Sequence, residues 1–137
     1  MKMITRTIGV VEEVKSMDFE SFIRLARRKA DDAERLVAKF DIAVNNLFGD
    51  LRHRIDAYNL PDTIFRIFYD SDKKVAFVEL AGSRLTMALK FDIVEVYFNG
   101  KIIDTLRFDI NTDNIICVNG EKFAFTHFEN WLDNFED

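Results

Sequence analysis

The sequence predicts an α+β fold: a long N-terminal amphipathic helix packed on an antiparallel β-meander of about five to seven strands, with a short C-terminal helix. Three observations support this prediction. Apolar residues recur with a helical period over roughly forty residues, strand-like runs follow Pro61, and an aromatic helical pattern ends the chain. With 137 residues, we expect a single domain over residues 1–137.

Residues 1–60 are expected to contain a short strand and the long helix. The strand is predicted over residues 3–11, where β-branched side chains are frequent. Ser16 or Asp18 can supply the helix N-cap, and Glu20 lies in the first turn, where a negative charge is favourable. From Asp18 to Tyr58 the apolar residues recur every three or four positions, so they form one stripe along a helix.

The length of this helix predicts self-association. Roughly forty helical residues measure about 60 Å, whereas a compact domain of this size is only about 35–40 Å across. The helix either breaks at Gly49, or it continues, overhangs the sheet and buries the overhang against a second chain. The apolar phase continues across Gly49, so we expect a continuous helix and a homodimer. The expected dimer interface is the coiled-coil-like part of the stripe: Ala33, Val37, Phe40, Val44, Leu47 and Leu51.

Residues 61–125 are expected to form the antiparallel sheet. Asn99-Gly100 and Asn119-Gly120 favour tight hairpins, because both residue types tolerate the positive φ of such turns. Connections this short leave only antiparallel pairing for neighbouring strands. The expected strands cover residues 63–69, 75–80, 85–91, 93–98, 101–110, 115–118 and 121–125.

Residues 126–137 are expected to form the C-terminal helix. Thr126 and Glu129 have the spacing of a capping box at its start. The residues that follow place an aromatic face at helical spacing, which suits docking onto a core. This face consists of Phe128, Trp131, Leu132 and Phe135.

Residues for catalysis or metal binding are scarce. The only histidines are His53 and His127, neither has a metal-ligand spacing, and no glycine-rich phosphate loop occurs. We therefore predict no metal and no cofactor, and we favour a protein without enzymatic activity. The single Cys117 fits a reducing compartment, and neither a signal peptide nor a membrane-spanning segment is recognised. A cytoplasmic location is expected.

The charge of the chain is uneven. Residues 61–137 carry 14 acidic and 8 basic side chains, whereas residues 18–60 carry 8 of each. An acidic sheet disfavours phosphate backbones as partners and favours a basic protein.

One cross-strand pair is a candidate functional feature. If Asn99-Gly100 forms a two-residue turn, Glu95 lies directly opposite Asp104, and such like charges are unfavourable unless a partner neutralises them. Two carboxylates in aromatic surroundings can also serve acid–base chemistry. The aromatic neighbours expected on this face are Tyr97, Phe91 and Phe108.

We therefore predict a non-catalytic protein–protein interaction module: a homodimer through the long helix that binds another protein with its acidic and aromatic sheet face. Tyr97, Glu95, Asp104, Phe91 and Phe108 are the partner-binding candidates, and an inhibitor, immunity or chaperone-like role fits this profile.

Two alternatives remain. The protein could bind or hydrolyse a small ligand with Glu95 and Asp104, its weak catalytic candidates, with Glu79 nearby. It could instead bind nucleic acid through a basic stripe on the helix, although Asp31 and Asp32 oppose this. The stripe consists of Arg24, Arg28, Arg35 and Lys39.

Overall fold

The computed structural model describes residues 17–136, so the strand expected over residues 3–11 lies outside the described part. The chain divides into two compact units, Met1–Asp32 and Ala33–Asp137. In the first unit, the described residues are helical from Phe19 onward and none of them is buried. Phe19 is 75% exposed and Phe22 is 54% exposed.

Helix α1 spans Phe19–Ile55 and continues through Gly49, as expected. Asp18 precedes it, and its side chain accepts the Ser21 backbone N–H at 2.7 Å, which satisfies one of the unpaired donors of the first turn. The helix ends slightly earlier than expected. A 3₁₀ turn over Asp56–Tyr58 follows it, and Asn59 then adopts a left-handed conformation with φ 51°.

The sheet has six strands, and each pairs antiparallel with the next one in the chain. The expected meander is therefore confirmed. The seventh expected strand is absent, because between residues 121 and 125 only Lys122 bridges to the sheet, opposite Ile116. The strands are β1 Phe65–Asp70, β2 Val75–Leu80, β3 Ser83–Lys90, β4 Ile93–Phe98, β5 Lys101–Asp109 and β6 Asn114–Cys117.

The two Asn-Gly dipeptides form different turns. Asn99 and Gly100 both have positive φ, 51° and 85°, and Phe98 pairs with Lys101 as expected for a two-residue hairpin. Of Asn119 and Gly120, only Gly120 has positive φ, and its N–H bonds to the Cys117 carbonyl at 2.9 Å. The second dipeptide therefore ends a wider turn, which leads into the C-terminal segment.

The core lies in the second unit, between α1 and one face of the sheet, which we call the inner sheet face. Apolar side chains alternate inward along the strands, as expected for a half-buried sheet. The buried α1 residues are Leu36, Phe40, Val44, Leu47, Phe48 and Leu51. The buried strand residues that pack with them are Ala76, Val78, Leu85, Met87, Val94, Val96, Leu106, Ile115 and Cys117.

Helix α2 spans Phe125–Leu132 and buries Phe128 and Trp131 in the same core. The capping box expected from Thr126 and Glu129 is wrong. The N-cap is Ala124, whose backbone N–H donates to Nδ1 of His127 at 2.9 Å, so a histidine performs the role usually taken by glutamate. No helix within residues 17–136 combines the length and apolar content needed to cross a lipid bilayer.

Candidate interaction surface

The expected pairing of Glu95 with Asp104 is wrong, because strand β5 contains a bulge. Tyr97 pairs with Ile102, as the turn predicts, but Val96 pairs with Asp104 and Glu95 pairs with Thr105. Ile103 is thus the extra residue of β5. One inserted residue reverses the face of every side chain beyond it, so Glu95 and Asp104 lie on opposite faces of the sheet.

Asp104 instead anchors helix α2 to the sheet. Its carboxylate accepts a hydrogen bond from the indole N–H of Trp131 at 2.8 Å and another from the Thr105 backbone N–H at 2.8 Å. The paired carboxylates on which the hydrolase alternative depends are therefore not brought together. Among the described residues, no three His, Cys, Asp or Glu side chains are grouped closely enough to hold a metal ion.

The expected dimer-interface residues are mostly in the core of the second unit. Phe40 is 2% exposed, and Val44, Leu47 and Leu51 are also buried. The chain's own inner sheet face covers these four side chains, so a second copy cannot contact them in this structure. Ala33 and Val37 are half-buried. A homodimer through the helix stays a prediction.

The remaining partner-binding candidates are dispersed. Phe91 is exposed in the turn between β3 and β4, with φ 37°. Phe108 is half-buried on the inner sheet face, and the guanidinium of Arg35 lies 5.8 Å from its ring centre. Of the five candidates, only Tyr97 and Glu95 lie together on the opposite face.

Two cations of the predicted basic stripe are engaged by the turn between β5 and β6. Lys39 and Arg35 contact the Asp113 carboxylate at 3.1 and 3.3 Å. Lys39, and after it Arg35, lowers the pKa of Asp113 by stabilising its charged form. A nucleic acid would have to compete with this carboxylate for both side chains.

The opposite face of the sheet, which we call the outer sheet face, carries a continuous row of mainly aromatic side chains. Cross-strand pairing from β1 to β5 places the row's members side by side. Its two ends are half exposed, Phe68 at 51% and Ile102 at 49%. This aromatic row consists of Phe68, Phe77, Thr86, Tyr97 and Ile102.

A charged row lies beside it on the same face. Arg66 contacts the Glu79 carboxylate at 2.6 and 3.0 Å, and Arg84 contacts its other oxygen at 3.2 Å. Arg66, and to a smaller extent Arg84, lowers the pKa of Glu79. The two guanidinium groups also lie 5.6 and 3.9 Å from the ring centre of Phe77. Phe77 and its two arginines therefore form a pre-ordered cluster.

Glu95 has a local partner in place of Asp104. The hydroxyl of Tyr97, two residues further along β4, donates a hydrogen bond to its carboxylate. This bond raises the pKa of Tyr97 because it stabilises the neutral phenol. The pair keeps an oriented negative charge near the middle of the outer sheet face.

The Arg66–Phe77–Arg84 cluster was not predicted, although the sequence contains a signal for part of it. Ala81-Gly82 is a two-residue turn between β2 and β3. Extending the register from this turn places Glu79 opposite Arg84, as the structure shows.

Comparison of the chain with models of known protein families, with curated proteins and with solved structures finds no significant match. The proposed function therefore depends on the fold and on the outer sheet face.

Proposed function

We propose that this protein is a non-catalytic interaction protein that binds another protein through its outer sheet face. The supporting observation is the aromatic row, which crosses five strands and ends in the half-exposed Phe68 and Ile102. A connected apolar patch with a polar rim is typical of protein-binding surfaces.

The residue types on this face suit an energetic hot spot. Arginine and tyrosine are enriched among the residues that contribute most to protein binding. Here Arg66 and Arg84 are already held by Glu79 and by the ring of Phe77. Because these side chains are ordered before binding, a partner immobilises few new rotamers.

The net charge of residues 61–137 favours a basic partner, although the cluster on the outer sheet face itself pairs two arginines with one glutamate. The 14 acidic side chains of residues 61–137 exceed the 8 basic ones. Complementary charge speeds association and discriminates between partners. An inhibitor, immunity or chaperone-like role remains the finer proposal. The helix-mediated homodimer also remains a proposal. Because the chain's own sheet covers most of the apolar stripe, such a dimer would use exposed apolar residues of α1, which include Phe19 and Phe22.

Site-specific photo-crosslinking in host lysate tests this proposal. We place a photoreactive phenylalanine analogue at Thr86 or Ile102, within the aromatic row, and at the exposed Glu129 of α2 as a matched control. The two row probes are expected to capture the same discrete protein, and excess unlabelled protein should compete. Capture that is equally efficient from Glu129, or no discrete product from the row probes, contradicts the proposal.

A further inference from the structure

The two edges of the sheet differ in how well they are closed. The β6 edge is covered by the following segment, because Cys117 N–H bonds to the Glu121 carbonyl at 2.7 Å and Phe123 N–H bonds to the Ile115 carbonyl at 2.8 Å. Strand β1, at the other edge, pairs with β2 alone among the strands of the described residues. An open edge that carries aromatic side chains and no proline is a template for strand addition.

The alternation of hydrogen bonds shows which backbone groups of β1 point outward. Ile64 accepts a bond from Ala81 at 2.7 Å, so its carbonyl points toward β2. Because antiparallel pairs alternate, Arg66 and Phe68 also bond to β2, while the backbone groups of Ile67 and Tyr69 point away from it. Within residues 17–136, no hydrogen bond satisfies these outward groups of Ile67 and Tyr69.

Helix α1 does not seal this edge. Two open cavities of about 540 and 550 Å³ lie along β1, beside the part of α1 between Asp41 and Ile55. Both are lined by Ile67 and Phe68 from the strand and by Arg52 from the helix. An added strand would find its backbone partners on β1 and room for its side chains beside the helix.

We propose that β1 pairs antiparallel with β1 of a second copy of this chain, which joins the two sheets into one. The pairing is centred on a twofold axis through Phe68, so that Phe68 opposes its own copy. Ile67 then opposes Tyr69 of the other copy, and these residues carry the outward backbone groups on both strands. In this register the two copies of Phe68 form a non-hydrogen-bonded pair, the type of pair in which facing side chains approach most closely.

Charge complementarity selects this occupant and this register. With Phe68 at the centre, Arg66 of each copy opposes Asp70 of the other, so two ion pairs flank the axis. A shift by two residues removes both of these ion pairs: in one direction Arg66 opposes Phe68, and in the other it opposes Asp72, which lies beyond the strand in the β1–β2 turn. A further shift in the first direction places Arg66 opposite itself. Strand β1 is thus complementary in charge to an antiparallel copy of itself. This favours a second copy of the chain as the partner over an unrelated peptide.

Charge exchange tests the pairing. Arg66→Asp places two carboxylates opposite each other across the axis, and Asp70→Arg places two guanidinium groups there. Each single substitution is expected to shift the mass in solution from dimer to monomer at micromolar concentration, whereas the double variant should restore the dimer. The double variant retains both intrachain defects, the loss of the Arg66–Glu79 pair and of the Asp70 turn contacts, so recovery cannot come from a repaired fold.

Disulfide trapping tests the register independently. Phe68→Cys places two thiols on the axis and should give a covalent dimer under mild oxidation, whereas Thr86→Cys, two strands inward on the same face, should not. Burial raises the pKa of Cys117, the native thiol present in both variants, and keeps it unreactive. A wild-type monomer, a dimer that both single charge variants leave intact, or a Phe68→Cys variant that forms no covalent dimer overturns the proposal. These outcomes are independent of the proposed function, which is tested by photo-crosslinking from Thr86 and Ile102.

Discussion

At the scale of single residues, Asp104 is the clearest case of a candidate whose role changes with one step of register. Asp104 lies on the inner sheet face, where its carboxylate accepts a hydrogen bond from the Trp131 indole N–H and thereby links α2 to β5. The outer sheet face contains the other candidate, Glu95, which has Tyr97 as its partner. A structural role for Asp104 and a surface role for Glu95 predict opposite sensitivities to substitution.

We expect Asp104→Ala to lower the free energy of unfolding by about 1–3 kcal/mol, because it leaves the indole N–H of the buried Trp131 without an acceptor. Asp104→Asn should cost less, since its one amide oxygen can still accept the indole N–H, while only the Thr105 backbone N–H loses its acceptor. Urea unfolding measures both effects. Glu95→Gln is the matched control and is expected to change stability by less than about 0.5 kcal/mol, as surface substitutions usually do. A larger loss from Glu95→Gln than from Asp104→Ala would contradict this assignment.

Asp41 predicts a dependence of stability on pH. The hydroxyl of Tyr69 donates to its carboxylate, and Lys74 Nζ contacts both carboxylate oxygens at 3.1 Å. The Tyr69 hydrogen bond, and then Lys74, lowers the pKa of Asp41 against the opposing effect of burial. Because the folded pKa is depressed, this stabilisation is complete above the ordinary aspartate pKa of about 3.9 and is lost as the pH falls through the folded value.

We therefore expect Asp41→Asn to be less stable than the wild type near neutral pH, with a difference that shrinks as the pH falls below about 4. Urea unfolding over this pH range measures the difference. Asp62→Asn serves as the control, because Asp62 is exposed and its side chain makes no hydrogen bond or ion pair within residues 17–136. A difference for Asp41→Asn that stays constant with pH would show that its charge does not matter.

Among the elements, helix α1 was predicted correctly as continuous, although Gly49 in its interior lowers the stability of the helix. The position lies inside α1, is exposed, and an added Cβ there would meet nothing within 4 Å. Glycine in a helix interior costs backbone entropy without any packing gain. The surrounding apolar stripe, buried on the inner sheet face, keeps the segment helical.

Gly49→Ala should raise the free energy of unfolding by about 1 kcal/mol, the usual helix-propensity difference at an exposed interior position. Gly100→Ala should lower it, because Gly100 has φ 85° in the β4–β5 turn and an L-residue is strained there. Thermal unfolding of the two variants in parallel checks the signs. Equal effects at both positions would show that φ does not control the outcome.

The elements were predictable from the sequence, while the register of the fourth hairpin was not. Periodicity and turn residues located six strands and both helices, because burial repeats every two or 3.6 residues along them. The bulge at Ile103 has no such periodic signature, since it inserts a single residue into an otherwise regular alternation. That single residue separated Glu95 from Asp104, and with it the predicted carboxylate pair. The Arg66–Phe77–Arg84 cluster was not predicted for a different reason. Its three residues lie on three strands, so predicting it requires the registers of two consecutive hairpins.

At the scale of the whole molecule, an apolar helical stripe does not reveal what covers it. The period of Phe40, Val44 and Leu47 is the same for a stripe buried in a dimer and for one buried on the chain's own sheet. The structure assigns these residues to the second unit's core, while Phe22 in the first unit is exposed. A dimer, if one forms, would therefore have to use other surfaces, such as the β1 edge or the exposed part of α1.

Two truncations separate these roles. Phe40→Ala is expected to lower the free energy of unfolding by about 3–5 kcal/mol, because it leaves a cavity among side chains from α1 and the sheet. The difference from the wild type should be the same at low and high protein concentration, since Phe40 lies inside one chain. Phe22→Ala removes a side chain that is 54% exposed, so it should hardly affect the stability of one chain. If helix-mediated dimers form, Phe22→Ala should weaken them in sedimentation experiments. A concentration-dependent effect of Phe40→Ala would instead place the central stripe between subunits.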